Sequence, residues 1–274
     1  MMFKKLCKGL GLLVTAGLLL LQSAGIAEAG VLKVGAKAYP YAEILTQAQP
    51  VLVQQGVELQ IVKYSDDFSQ EHMPLLDLLE GKIDATFHQS EYSMRSFTKE
   101  HGLKIEPVCS VFLEPLAIYS AQVKSVADAW PGSQVIIPNN DYTGRALMLL
   151  QDMDILTLRK GAGYNADVED IERMNRPFKI IVVDPTAMAA NYQYFQLAVL
   201  DYQQAMQAKL EPSKNALYFE NGANPFAAIV AVRDGEQKRE DIQKLVAALH
   251  APNMADFINY NYEGHYLAAF STNF

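Results

Sequence analysis

Short β-branched and aliphatic runs recur along this chain, each followed by a stretch long enough for a helix. That alternation limits the fold more than any other feature. Val31–Val34, Val57–Tyr64 and Ile83–Phe87 are the first three runs. Between the first two, Glu43, Ile44, Leu45 and Ala48, then Val51, Leu52 and Val53, predict a helix from about Ala42 to Gln55, which Pro50 should kink or split. Gly56 stands where a helix C-cap is expected, and a second helix over Leu75–Leu79 should end at Gly81. Strands at this spacing with helices between them indicate a parallel α/β layer with right-handed crossovers. Such layers bind ligands beyond the strand C-termini, where the loops Ala38–Tyr41, Ser65–Phe68 and Phe87–Tyr92 would lie.

A second set of units follows. Val108–Tyr119 is extended and largely apolar, Pro115 restricts its pairing, and it is expected to be a strand leaving the first lobe. Val123–Trp130 is expected to be a short helix. Val135–Ile137, Ile180–Val183, Gln196–Leu200 and Ala227–Val232 are further strands, with Met188–Tyr194, Ile242–Ala248 and the segment holding Phe257 and Ile258 helical. No repeat and no linker rich in Pro, Gly or Ser divides the chain. Two α/β sets without a flexible linker predict two lobes joined by crossing strands, with a cleft between them.

The N-terminus has the pattern of a targeting segment. Lys4, Lys5 and Lys8 precede the apolar run Gly9–Leu21, and Ala27-Glu28-Ala29 fits a small-x-small cleavage rule. Export with cleavage near Ala29 is therefore expected, giving a periplasmic protein that begins near Gly30. Cys7 lies before the apolar run and no Cys follows it closely, so a lipid anchor is not expected. The whole chain has a formal charge of −8, and loss of residues 1–29 would make it −10. Such acidity argues against nucleic acid or an anionic membrane surface as partner. The exported part would keep only Cys109, which excludes an intrachain disulfide and leaves stability to ordinary apolar cores.

Chemistry-bearing residues are few. Val135–Leu150 reads as a strand ended by Pro138, a turn at Asn139-Asn140-Asp141, and a helix starting near Thr143. Arg145 then falls in the first helical turn, beside unpaired N–H groups, which is a ready place for a carboxylate or phosphate. The plain alternative is that Arg145 pairs with a surface acid. Phe87-His88-Gln89-Ser90-Glu91-Tyr92 is either a solvated loop or a site in which Phe and Tyr pack a ligand while His88 and Gln89 bond its polar atoms. His72, His88, His101, His250 and His265 lack metal-site spacing, so no metal or other cofactor is expected. Cys109 sits in an apolar run and reads as an inert thiol, and no nucleophile–base signature marks an enzyme. Tyr260, Tyr262 and Tyr266 read as packing residues.

The stretches LKVGAKAYPYAEIL, YSDDFSQ, LLEGKIDATFHQSEY, PLAIYS, PNNDYTGRALMLLQ and QLAVLDYQQA, in this order, resemble the MetQ/NlpA family of substrate-binding proteins of methionine-type ABC importers. The likeness runs from about Val31 to His250. It implies a periplasmic-binding-protein-like fold of two α/β lobes, at about 30–120, 121–211 and a return over 212–274. It also implies an amino-acid ligand between the lobes, an inner-membrane permease with an ATPase as partner, no catalysis, and a monomer. A receptor of the same fold that senses rather than transports would look alike in sequence.

The resemblance places the ligand among Phe68, Phe87, His88, Gln89, Tyr92, Tyr142, Arg145 and Asp201. The family's P-N-D-x-T-N-x-G-R turn keeps its Arg as Arg145 but is one residue shorter, with Tyr142 in place of an Asn. F-F-Q-H-x-P-Y keeps Phe87, Gln89 and Tyr92 and carries His88 and Ser90 as changes. Asp201 and Ala228 each replace an Asn, and Phe68 stands for an aromatic beside an extra Asp67. Losing a buried Asn leaves a ligand group unpaired, at about 1–3 kcal/mol. Asp201 adds a charge that favours a cationic group. The expected ligand is methionine or a related zwitterion, with Arg145 on the carboxylate and Asp201 on the ammonium.

Overall fold

The computed structural model describes residues 30–65, 72–140, 142–220 and 224–270. The expected targeting segment and Phe68 therefore lie outside the described residues. The described residues begin with β1 (Gly30–Lys37), α1 (Glu43–Gln54), β2 (Val57–Tyr64), α2 (Met73–Leu79), β3 (Ala85–Ser90), α3 (Glu91–His101) and β4 (Ile105–Leu113). β1 pairs in parallel with β2 on one side and β3 on the other, as the strand–helix–strand spacing predicts. Ile44, Leu45, Ala48 and Leu52 of α1 are fully buried against that sheet. The helix runs unbroken through Pro50, because this buried face outweighs a local cost of about 3 kcal/mol.

The expected single strand Val108–Tyr119 is two strands in two sheets. β4 ends at Leu113, Glu114-Pro115-Leu116 crosses between the lobes, and β5 (Ala117–Tyr119) joins the second sheet. Pro115 has no N–H to give to a ladder, so the run breaks there. The second lobe continues with β6 (Gln134–Pro138), α4 (Thr143–Asp152), an antiparallel arm of β7 (Leu156–Leu158) and β8 (Ile171–Met174), β9 (Lys179–Val183), α5 (Pro185–Asn191), β10 (Leu197–Leu200), α6 (Tyr202–Gln207), α7 (Pro212–Asn215) and β11 (Tyr218–Phe219). Its five-stranded sheet has the order β11-β5-β10-β6-β9, with β6 parallel to β9 and β10. The helix expected at Val123–Trp130 is only a 3-10 turn over Val126–Asp128, capped by Ser125, whose hydroxyl accepts from the Ala127 N–H at 3.1 Å.

The chain then returns through β12 (Ala228–Arg233), α8 (Glu240–Leu249), α9 (Pro252–Asn261) and β13 (Leu267–Ala268). β12 inserts between β3 and β4, antiparallel to both, completing a six-stranded sheet of order β13-β4-β12-β3-β1-β2. Each lobe has its own core. Leu32, Val34, Leu45, Leu52, Val230 and Ile258 belong to one; Val135, Ile137, Leu147, Leu150 and Val199 belong to the other. The second sheet thus takes strands from Ala117 to Phe219, a few residues wider at each end than the 121–211 expected from the sequence.

Candidate functional site

The two sheets face each other across a cavity of about 510 Å³. Its first-lobe wall is the C-terminal end of β3, with Lys37, Tyr41, Phe112, Phe226 and Tyr266 around it. The segment Phe87–Ser90 is strand, not the loop considered from sequence, because β12 pairs with it through Ile229↔Gln89 and Ala228↔Ser90. The pairing with β12 shifts register between Ile229 and Val230, opposite Gln89 and Phe87, so strict alternation is interrupted here and the expected cluster is divided. Phe87 is fully buried in the core rather than on the cavity, with its ring edge-on to Tyr41 at 4.9 Å and to Phe112 at 5.8 Å. His88 and Gln89 line the cavity. His88 is 1% exposed, and its Nδ1 meets the Thr86 hydroxyl. Gln89 is 5% exposed, and among the described residues neither its Oε1 nor its Nε2 has a hydrogen-bond partner. An amide desolvated on both atoms costs about 1–3 kcal/mol per missing bond.

Tyr92 is the second residue of α3 and leaves the cavity. It lines a separate cleft of about 760 Å³ with Asn140 and Tyr164, stacks on Phe226 at 4.7 Å, and its hydroxyl donates to Asn165 Oδ1 at 3.1 Å. It therefore ties the lobes together at the rim.

The second-lobe wall comes from the strand–turn–helix read at Val135–Leu150. The turn forms as its residues dictate. Asn140 Oδ1 accepts from the Tyr142 N–H at 2.9 Å, and the Thr143 hydroxyl donates to Pro138 O at 2.7 Å. Gly144 is required next: a Cβ there would stand 2.2 Å from the Tyr164 carbonyl oxygen. Arg145 follows, 4% exposed and on the cavity. Its partner is neither a surface acid nor open space. Nε donates to both carboxylate oxygens of Glu220 at 2.8 Å, and Nη2 lies 2.6 Å from Glu220 Oε2. Nη2 also donates to the Glu114 carbonyl at 2.6 Å, and Glu220 Oε2 accepts from the Leu116 N–H at 3.0 Å. One ion pair thus fastens α4 to both crossing segments. Tyr142 and Phe226 flank the guanidinium, with ring centres 5.2 and 4.8 Å from its carbon. Nη1 is the only guanidinium nitrogen with no protein acceptor among the described residues.

Burial pushes the Glu220 carboxyl up from its ordinary value, against the attraction of Arg145, and pushes the Tyr142 hydroxyl up as well. Asp201 also lines the cavity and already has work: its Oδ1 accepts from the Gln204 N–H at 2.8 Å while Gln204 Oε1 accepts from the Asp201 N–H at 3.2 Å. Burial raises its pKa, and Glu114 adds to the rise.

Five of the eight residues expected at the ligand, namely His88, Gln89, Tyr142, Arg145 and Asp201, meet at one cavity. Lys37, Glu114, Phe226 and Glu220 were not anticipated. Glu114 carried a signal, being the one acid in the apolar run Val108–Tyr119. Glu220 carried none, since its partner is 75 residues away. Cys109 is a buried residue of β4 with its thiol pushed up to about 12, so it offers no thiolate for chemistry.

A family model described as NlpA lipoprotein matches residues 32–270. The methionine-binding lipoprotein MetQ of Bacillus subtilis (strain 168) is 34% identical over 270 residues, covering 95% of this chain and 97% of that protein. A nutrient binding protein from Burkholderia cenocepacia bound to methionine is 29% identical with a TM-score of 0.57, covering 87% of this chain and 100% of the other. A periplasmic substrate-binding protein of an ABC transporter from Coxiella burnetii is 26% identical with a TM-score of 0.58, covering 86% and 99%. The two-lobed periplasmic-binding fold is shared with these structures. One expectation falls. A periplasmic protein without a lipid anchor was expected because no Cys closely follows the apolar N-terminal run, but the matched family and the Bacillus relative are lipoproteins by description. The position of Cys residues near the N-terminus is therefore no ground for excluding an anchor here.

Proposed function

This chain belongs to the NlpA lipoprotein family, and on that premise we propose that it is the solute receptor of an ABC importer, holding a small amino-acid-like zwitterion between its lobes and delivering it to a membrane permease driven by an ATPase. Its relatives are substrate-binding proteins and not enzymes. Methionine or a close relative is the first candidate, since the Bacillus protein is named for methionine binding and the Burkholderia structure holds it.

The observation that carries this reading is Gln89: a nine-tenths-buried amide on an inter-lobe cavity, with donor and acceptor both unpaired among the described residues. A group left so is stabilised by a ligand offering an acceptor and a donor together, as the head of a zwitterion does. The cavity volume suits a molecule of that size. Lys37, Arg145 Nη1 and Gln89 are the donors for a carboxylate, and Asp201 and Glu114 are the acceptors for an ammonium. His88 and Tyr142 enclose the remainder. A ligand touching both walls favours the closed arrangement by the free energy of those contacts, with no covalent step. Lobe one then comprises the chain up to the Glu114–Leu116 crossing and from β12 onward, and lobe two the part between.

Titration calorimetry with a panel of amino acids tests the proposal. A saturable heat with methionine or another zwitterion is expected, weakened by Gln89→Leu and by Asp201→Ala. No saturable heat with any member, or full affinity in Gln89→Leu, would overturn it.

A further inference from the structure

Glu220 lies behind Arg145, on the nitrogens of the guanidinium other than Nη1. Both of its oxygens are engaged by Arg145, it is 3% exposed, and it does not line the cavity, so only the arginine stands between it and a ligand. We propose that Glu220 is a positioning residue that sets the charge selectivity of the cleft. By holding Arg145 as a neutral pair it makes the site accept ligands of zero or positive net charge and reject those with two anionic groups. The inference rests on the reading of this cavity as the ligand site.

The geometry makes the pair permanent rather than a stand-in that a ligand displaces. Glu220 Oε2 also accepts from the Leu116 N–H, and Arg145 Nη2 also donates to the Glu114 carbonyl. A ligand carboxylate that evicted Glu220 would leave a buried carboxylate with its counter-charge gone, the costliest arrangement open to an ion in a protein interior. An anion at Nη1 therefore meets a guanidinium whose charge is cancelled by a carboxylate 2.6–2.8 Å away on its other side. The pull of the one and the push of the other largely offset each other at that distance. What remains on the cavity is Lys37, with no ion-pair partner among the described residues, facing Glu114 and Asp201. That balance matches one ligand carboxylate with Lys37 and Gln89, and repels a second.

Calorimetry with L-glutamine, L-glutamate and glutarate, on the wild type, Glu220→Gln and Glu220→Asp, tests this. Glutamine and glutamate are nearly isosteric and differ by one charge. The wild type should favour glutamine and show no saturable heat with glutarate. Glu220→Gln keeps an oxygen for the arginine but removes the charge, and should gain at least about tenfold in glutarate affinity. Glu220→Asp keeps the charge and should stay at the wild-type level, which a purely structural role would not produce. An equal gain in Glu220→Asp, or no gain in Glu220→Gln, overturns the inference. If Glu220→Gln does not fold, the wild type decides, and binding glutamate as tightly as glutamine overturns it. A wild type that takes no amino acid while Glu220→Gln gains glutarate would sink the transport reading and leave the role of Glu220 standing.

Discussion

The two walls of the cleft treat their polar groups in opposite ways. On the first-lobe wall, Gln89 is buried with neither end of its amide bonded among the described residues. On the second-lobe wall, the charged groups that look most like ligand contacts are already employed by the protein: Arg145 by Glu220 and the Glu114 carbonyl, Asp201 by the start of α6. The buried charges of the second wall are held by the protein, and the unmet demand lies on the first wall, in the Gln89 amide and in the half-exposed Lys37. Charge makes a residue visible in a sequence, but a buried charge cannot wait for a ligand without a partner, whereas an amide can at modest cost.

Removing the arginine is the severest test of that contrast. Arg145→Met strands Glu220 in the interior and should lower stability by about 3–5 kcal/mol in urea unfolding; a loss under about 1 kcal/mol would mean that the pair does not hold the crossings to α4. Gly144→Ala should follow, since its new Cβ would collide with the Tyr164 carbonyl and overpacking costs about 1–3 kcal/mol. Its melting temperature should fall while ligand preference is kept, separating the packing of that wall from recognition. Gln89→Leu sharpens the contrast from the other side: stability unchanged or slightly raised, with ligand affinity down by about 1–3 kcal/mol. A large stability loss in that variant would show the amide to be structural after all.

The smallest effect concerns Asp201→Asn. Asn caps a helix as well as Asp. Because burial raises the native Asp201 pKa above its ordinary value of 3.8, the native state binds the extra proton and the wild type loses stability as pH rises through the window above that value. The Asn variant has no such loss, so it should match the wild type at the acid end and be favoured above the window. Chemical denaturation of both proteins across that range measures the difference, and a gap that does not widen with pH would contradict the burial of Asp201.

Much of the fold was legible because it rests on local period. β2 was read over its full length, Val57–Tyr64, and the strand–turn–helix at Val135–Leu150 formed with its Asx turn as the residues implied. The readings that failed each depend on something distant. Phe87–Ser90 is a strand because β12, more than 130 residues later, pairs with it; Val108–Tyr119 divides because two sheets compete for it; α1 survives Pro50 because its face is buried. At the cavity five of the expected residues come together, but Phe87 is taken up by the first-lobe core and Tyr92 is carried by α3 into the neighbouring cleft.

By itself the sequence determined the alternating units, the two lobes and the family, all of which depend on periodicity and motif order carried along the chain. Only the tertiary structure decided who partners whom in the cleft. Arg145 and Glu220 meet because two crossing segments bring them together, and nothing local to either residue encodes that meeting. Whether a polar side chain is spent on the protein or left for a ligand is a matter of burial and partner geometry, and both exist only once the chain has folded.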